Sequence, residues 1–529
     1  MTAAQFKRHR APLFVYPALP EIKLCYAVTL CAMFYAWYRV YQASEIYPWN
    51  IGDFGVYENP PLIGNLTGQR MKDQTNWEWT HWSPFTLSYI PVYLIHAVLF
   101  NIVGGFLKES LFTPLYVIFS ITACSIYFTP FLVAVSIAQG LILFLVTHFI
   151  RRTIAVWLAT LPILYVVMHH SSILSNDPFL IYTFVSYTLL SYVSYSIDVI
   201  RGFGRPEDVT LPQKFIRMLF YVFYQPYMVS LIVLYSDFET QMKQRNSGQH
   251  KRDWKDITFF VARICFWWYA FEVSNYFLYY EAILKNHQFL FSLPKDQFVA
   301  LGMALGISFH LKYVVIFGFP SLFAKIDNLQ PLPGPICLIR VTLYSKVWRE
   351  FDRGLYKFFK SYIFIPICQP TFSVQRKIVG VLVSFGFVLM WHGFYHHNKV
   401  WIGLNIIALF IEMSSKVIYG LKGVDAFRKR WMSDVNFRRL LALLHIIPFA
   451  FGLYSNFYFL GGSRVGQAFV QRFLIEETIT FRWPAFLIVF IGYFHAHTCI
   501  EADRYKAMRE LEEVKEENRR NNNTRDKDD

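Results

Sequence analysis

The sequence predicts an all-α polytopic membrane protein, and three observations carry that prediction. Hydrophobic residues make up 55% of the 529 and charged residues only 16%, a balance that cannot clothe a water-soluble body of this size. About a dozen apolar runs recur along the chain, each long enough to cross or enter the hydrocarbon core. Aromatic residues reach 19%, with 34 Tyr and 14 Trp, and rings that carry a polar edge settle at the headgroup level of either membrane face.

In chain order, a basic leader, Lys7-Arg8-His9-Arg10, precedes an apolar stretch from Leu24 to Tyr41. That stretch is too long for a signal-peptide core and reads as a retained signal anchor. The polar, Trp-rich stretch from Ser44 to Ser83 contains the sequon Asn65-Leu66-Thr67, which places it outside the cytosol. Further apolar runs centre near residues 95, 119, 138, 161, 188, 230, 267, 311, 385, 410, 450 and 489, giving about eleven to thirteen membrane segments. The run holding Tyr224-Gln225-Pro226 is expected to be re-entrant, because proline frees backbone groups that protein must then satisfy. Arg151-Arg152, residues 243–255 and Arg428-Lys429-Arg430 are expected in the cytosol. Residues 1–500 form one membrane domain, and residues 501–529, which alternate acids and bases, form a cytosolic tail whose helix fades into disorder. The 51 Lys and Arg outnumber the 36 Asp and Glu, an excess that orients spans and attracts membrane lipids. They are scattered over short loops, which argues against a nucleic-acid partner. Seven cysteines without a CxxC pair give no disulfide framework.

Imidazole and charged groups inside apolar runs need a partner or a function. His392, in Met390-Trp391-His392-Gly393, follows thirteen uncharged residues from Ile378 to Met390. Fifteen residues of helix, roughly 22 Å, separate it from Lys377, so it lies deep relative to that basic flank. Such a histidine is either bonded to a neighbouring helix or a proton-transfer group. Upstream, the segment from Val347 to Ile365 reads as one amphipathic helix. Arg349, Arg353, Lys357 and Lys360 share a face, and Trp348, Leu355 and Phe359 take the opposite one. The basic stripe suits anionic headgroups or the phosphates of coenzyme A. Asp352 projects among the apolar residues, a costly place for a carboxylate without a partner. Pro366 and Pro370 break the helix, and Phe372 lies midway between Asp352 and His392. A chain that folds back there brings the carboxylate and the imidazole to the same depth beside one substrate.

No Gly-x-Ser-x-Gly elbow, His-Glu-x-x-His zinc helix or Asp-His-His-Cys motif occurs, which argues against a covalent acyl-enzyme. One imidazole acting as base on an amine or hydroxyl that attacks a thioester directly needs fewer residues. An α-amino group titrates at about 7.7–8.0 and histidine at about 6.5, so that base suits an N-terminal ammonium at neutral pH. His396 and His397 compete as base, although they lie outside the apolar run.

At these residues the sequence resembles the membrane-bound O-acyltransferase superfamily, in its hedgehog acyltransferase, protein-cysteine N-palmitoyltransferase branch. The stretch Trp348-Arg349-Glu350-Phe351-Asp352-Arg353-Gly354-Leu355 with Tyr362-Ile363-Phe364-Ile365-Pro366 resembles the branch's Trp-x-x-Phe-Asp-x-Gly-Leu and Tyr-Ile-x-x-Pro motifs. Trp391-His392-Gly393 is similar to its catalytic histidine motif, and Ser455-Asn456-Phe457-Tyr458-Phe459-Leu460-Gly461-Gly462 to its Ser-Asn-x-x-Phe-x-Gly-Gly motif. The resemblance, densest over residues 331–466, implies the membrane-bound O-acyltransferase fold with that stretch as catalytic core. It implies His392 as base, Asp352 as its essential partner, Asn456 as a polar contact and Trp348 at an acyl-chain tunnel. It implies palmitoyl-CoA as donor and the N-terminal cysteine of a secreted, hedgehog-like signalling protein as acceptor, at the endoplasmic reticulum or Golgi membrane. No cofactor enters the chemistry, while Cys337 matches in position a cysteine that ligates haem in a family member. The segment Tyr227-Met228-Val229-Ser230-Leu231-Ile232 lacks the Gly-Pro-Ile turn of the family. A hydroxyl acceptor on a lipid, and a transport or catalytically silent relative, remain as alternatives.

Overall fold

The computed structural model describes residues 18–528 apart from 51, 205–208, 249–251, 342 and 476–482. The basic leader at Lys7–Arg10 lies outside the described residues. Among these residues, nine helices are long and apolar enough to cross a membrane, and the chain is an all-α polytopic membrane protein. The helix Thr153–His169 follows the run near residue 161, and at 17 residues it is shorter than the nine. Apolar side chains such as Phe34, Phe106, Ile126 and Phe149 stand exposed on helix faces, where lipid replaces water as the solvent.

The elements that build the functional region are α1 (Ile22–Glu45), α2 (Trp77–Phe106), α3 (Lys295–Ile326), α4 (Tyr344–Glu350), α5 (Arg353–Phe359), α6 (Val374–His392), α7 (His396–Tyr419), α8 (Ile446–Val470) and α9 (Trp483–Asp528). Between α1 and α2 the polar stretch folds into an antiparallel hairpin, β1 (Gly55–Glu58) against β2 (Arg70–Asp73), with Gly55 opposite Asp73 and Glu58 opposite Arg70. The Asn76 side chain then accepts the Trp79 N–H and starts α2, so the last residues of that stretch are already helical. At the other end, α9 passes position 501 without a break. There Glu501 is buried and meets Arg438 at 3.0 Å, so the charged tail continues a packed helix and stays helical to Asp528.

The run around residue 230 does not span. A 12-residue helix, Leu211–Val222, is about 18 Å long, short of the hydrocarbon thickness, and is followed by the single turn Gln225–Met228. Protein satisfies what the break frees. The Tyr116 hydroxyl accepts the Gln225 N–H at 3.1 Å, and the Tyr89 hydroxyl donates to Gln225 Oε1 at 2.7 Å. Beyond it Ser230 takes a positive φ of 71°, where glycine is at least strain. The chain then runs so close to α5 that a Cβ on Gly354 would lie 2.1 Å from the Ile232 carbonyl oxygen. Only glycine fits that crossing.

A fully buried polar cluster fastens this half of the molecule. His96 Nε2 donates to Asp327 Oδ2 at 2.7 Å, and Asn101 donates to Asp327 Oδ1 at 2.7 Å. The Tyr224 hydroxyl also donates to Asp327 Oδ2, while His96 Nδ1 lies 2.8 Å from the Tyr116 hydroxyl. His96 and Asp327 have no accessible surface, so every bond in the cluster is made in low dielectric.

Candidate active site

The expected single helix from Val347 to Ile365 is interrupted. α4 ends at Glu350, and Asp352, in extended backbone with φ −110° and ψ 93°, begins α5 by accepting the Leu355 N–H at 2.8 Å. Aspartate is among the preferred residues for that position, because its oxygen takes an orphan N–H of the first turn. The interruption splits the basic stripe. Arg349 and Lys360 line a cavity of about 680 Å³ enclosed by α1, α3 to α8 and neighbouring segments, whereas Arg353 faces Glu350 at 3.2 Å and Lys357 faces Asp237 at 2.5 Å. Arg353 and Lys357 do not line the cavity.

The return of the chain follows the sequence expectation. The short helix Ile365–Cys368 ends before Pro370, Phe372 takes a positive φ of 50°, and Ser373 caps α6 by accepting the Arg376 N–H at 3.4 Å. α6 then packs back along the incoming segment, so closely that a Cβ on Gly380 would meet the Phe364 ring at 2.9 Å. Trp348, Arg349, Asp352 and His392 thereby line the same cavity.

His392 is the last residue of α6, and Gly393, with φ 91°, turns the chain away from it. A side chain at 393 would be strained by that φ and would meet the Tyr395 ring at 2.8 Å. Asn398, buried at the start of α7, donates to the carbonyls of His392 at 2.7 Å and Gly393 at 3.0 Å and so fixes the helix end. The imidazole stands edge-on to Trp401 and Phe459, at 5.3 and 5.5 Å between centroids, and these two rings stack on each other at 4.0 Å. Among the described residues it makes no side-chain hydrogen bond, and its accessible surface borders the cavity. Both ring nitrogens are thus available to a bound molecule.

The Asp352 carboxyl keeps lone pairs beyond the one used on Leu355, and burial pushes it up to about 6 against the opposing pull of the Leu355 and Gly354 N–H groups. Trp348 is fixed by its indole N–H, which donates to Asn405 Oδ1 at 2.8 Å, and by edge contact with Phe385 at 4.8 Å. Asn405 in turn reaches the Ser455 hydroxyl at 3.3 Å on α8, and Ser455 and Phe459 also line the cavity. Asn456 lies on α8, but its side chain falls outside the described residues. In the same motif Gly462 takes φ 82° and kinks α8, the reason its second glycine is needed.

Asn398, Asn405 and Trp401 were not singled out from the sequence, and Phe459 entered only as the phenylalanine of the Ser455–Gly462 motif. The two asparagines carry the signal that would have found them, an amide inside an apolar helix, which needs a partner wherever it lies. Cys337 is half-buried and free, sits just before the turn Leu338–Arg340, and is not among the cavity-lining residues. Among the described residues no group of three or more His, Cys, Asp or Glu could hold a metal ion. The residues after Cys337, Leu338 and Ile339, do line the cavity, and no step of the chemistry is derived through haem.

With this geometry in view, the family model described as MBOAT, membrane-bound O-acyltransferase family, matches residues 207–455. The protein-cysteine N-palmitoyltransferase HHAT of Mus musculus is 24% identical over 91% of this chain and 97% of its own length. The protein-cysteine N-palmitoyltransferase Rasp of Drosophila melanogaster is 25% identical over 76% of this chain and 80% of its own. The membrane-bound O-acyltransferase GUP1 of Candida tropicalis is 22% identical over 58% of this chain and 55% of its own. Residues 207–455 therefore form a membrane-bound O-acyltransferase domain, and the chain is a membrane-bound acyltransferase similar over most of its length to protein-cysteine N-palmitoyltransferases.

Proposed function

We propose that this protein moves a palmitoyl group from palmitoyl-CoA to the N-terminal amine of a secreted, hedgehog-like signalling protein with an N-terminal cysteine, in the endoplasmic reticulum membrane. The observation that carries the reading is the sharing of one cavity by His392, with both nitrogens free, Asp352, Trp348 and Arg349. The likeness to two protein-cysteine N-palmitoyltransferases supports the donor and the kind of acceptor. The acyl chain lies along the apolar wall at Trp348 and Phe385, and the coenzyme A phosphates meet Arg349 and Lys360. His392 takes a proton from the ammonium, and the freed nitrogen attacks the thioester carbonyl carbon. The C–S bond breaks as the amide forms, the second nitrogen proton goes to the departing thiolate, and His392 returns its proton to water. Asp352, set across the cavity, orients the reacting groups.

The test is purified protein with labelled palmitoyl-CoA and peptides bearing free or acetylated N-termini. The free peptide is expected to carry label that resists neutral hydroxylamine, as an amide does, and the acetylated one to stay unlabelled. Equal labelling of the acetylated peptide would assign the acceptor to a hydroxyl or thiol.

A further inference from the structure

Asp352 is not the only carboxylate near the cavity: Glu78 stands behind its wall, bonded to a residue that lines it. Glu78 lies in the first turn of α2, within the Ser44–Ser83 stretch that its sequon is expected to place outside the cytosol. The Tyr313 hydroxyl donates to Glu78 Oε1 at 2.9 Å, and Lys312 Nζ lies 2.6 Å from Oε2. Tyr313 lines the cavity, so Glu78 stands one phenol from its space. Tyr187 lines the same cavity as Tyr313 and Asp352. Lys312 is buried, and Asn76, itself bonded to Glu281 at 3.0 Å, sits 3.4 Å from its ammonium. The Glu78 carboxylate is therefore held in place by two protein donors. A third of its side chain remains accessible, which leaves a lone pair for a ligand.

We propose that Glu78 is the binding group for the acceptor's N-terminal ammonium, holding it between Tyr313 and His392 before the proton is removed. The assignment rests on the amine-acceptor reading above and adds a residue to it. It gives Asp352 and Glu78 different work. Asp352 belongs to the α4–α5 break beside Arg349, and Glu78 to the start of α2, behind Tyr313 and in the stretch expected outside the cytosol, where a secreted acceptor would approach. A carboxylate held in place by two protein donors meets an ammonium with a charge-assisted hydrogen bond and little reorganisation.

The test uses the full chain in detergent, with initial rates measured against a peptide bearing a free N-terminal amine at saturating palmitoyl-CoA. Glu78→Gln is expected to raise the peptide KM about tenfold or more, the factor a charged hydrogen bond supplies, and to move the palmitoyl-CoA KM less than about twofold. Because that change also strips Lys312 of its counter-ion, the charge-balanced Glu78→Gln/Lys312→Met protein separates binding from structure. A peptide KM still raised in the balanced protein supports the assignment, and a return to the wild-type value overturns it, as does an unchanged KM in Glu78→Gln. If neither variant folds, the wild-type protein decides with a des-amino analogue of the peptide as competitor. Inhibition about tenfold weaker than the amine peptide's own KM supports ammonium recognition, and equal affinity overturns it. A wild-type protein that leaves the amine unacylated brings down the amine-acceptor reading and this inference together. A wild-type protein that acylates it, beside a Glu78→Gln protein of normal peptide KM, brings down this inference alone.

Discussion

Two histidines of this chain are each associated with an aspartate, one by a direct bond and one by sharing a cavity, and they are treated in opposite ways. At His96 both ring nitrogens are used by protein, one on Asp327 and one on the Tyr116 hydroxyl, and no surface is left accessible. At His392 the neighbours are the edges of Trp401 and Phe459, no protein side chain bonds either nitrogen among the described residues, and the ring borders a cavity. The first arrangement ties α2 to the end of α3 and to the re-entrant segment. The second leaves unspent hydrogen-bonding capacity facing a space of substrate size. What marks a reactive histidine in a membrane protein is thus the partner the fold withholds, and the presence of an imidazole and a carboxylate in apolar helices does not decide the matter.

The largest expected effect sets these two against each other. General-base catalysis contributes typically ~10²–10⁴-fold, so His392→Ala should lose at least that much single-turnover acyl transfer while still binding palmitoyl-CoA, with its melting temperature in detergent little changed. His96→Ala should do the reverse. It removes one of three side-chain donors to the buried Asp327 carboxylate, with Asn101 and Tyr224 left in place, a loss of about 1–3 kcal/mol in stability, while any protein that remains folded retains its turnover. Near-wild-type transfer by His392→Ala would break the comparison and move the base to His396 or His397.

Asp352 sharpens the comparison, because it combines a structural bond with a free lone pair. Asparagine caps a helix as well as aspartate does, whereas alanine costs about 1 kcal/mol. Asp352→Asn should therefore keep the melting temperature and lose turnover nearly as far as His392→Ala, and Asp352→Ala should lose both. The double variant Asp352→Asn/His392→Ala should be scarcely slower than the worse single one, and multiplying losses would show independent action. The pH dependence has a definite sign. Burial raises this carboxyl to about 6, so the fold favours its neutral form, and the stability it contributes at low pH is lost as pH rises through about 6. At pH 7.5 Asp352→Asn should melt at or above the wild-type temperature. If the ionised carboxylate is the working form, wild-type turnover should rise through pH 6 and level off, and a profile flat from pH 5 to 8 would exclude that role.

Much of this site was legible in the sequence, and what was not has a physical reason. Pro370 marked the return of the chain, whereas Pro366 sits inside a helical run that continues to Cys368, and the equal arms about Phe372 pointed to Asp352 and His392 sharing one space, which both line. The break before α5 was hidden, because the basic spacing of Arg349, Arg353 and Lys357 fits one unbroken helix as well as two. Its cause is tertiary. Gly354 must pass within reach of the Ile232 carbonyl, a segment more than a hundred residues away, and local periodicity carries no trace of that contact. Glu78 was hidden for a similar reason, since its partners Lys312 and Tyr313 lie on another helix and its place in the first turn of α2 looks like ordinary helix-end chemistry.

The smallest expected effect tests that hidden break directly. A single amphipathic helix would present Arg349, Arg353 and Lys357 to the same ligand, and each substitution would weaken donor binding alike. The interrupted chain makes them unequal, with Arg349 in the cavity wall, Arg353 engaged with Glu350, and Lys357 with Asp237. A charge-assisted contact to phosphate is worth roughly a factor of ten, whereas exposed ion pairs contribute about 0–1 kcal/mol. Arg349→Ala should therefore raise the palmitoyl-CoA KM about tenfold without changing the peptide KM, and Lys357→Ala should move it less than about twofold. Raising the salt from 0.05 to 0.3 M should weaken donor binding in wild type and in Lys357→Ala by the same factor, and by a smaller one in Arg349→Ala, because one fewer phosphate contact is left to screen. Equal KM changes in the two variants would mean that the chain between Glu350 and Phe359 presents one continuous basic face to the donor, and that the cap at Asp352 gives way when palmitoyl-CoA binds.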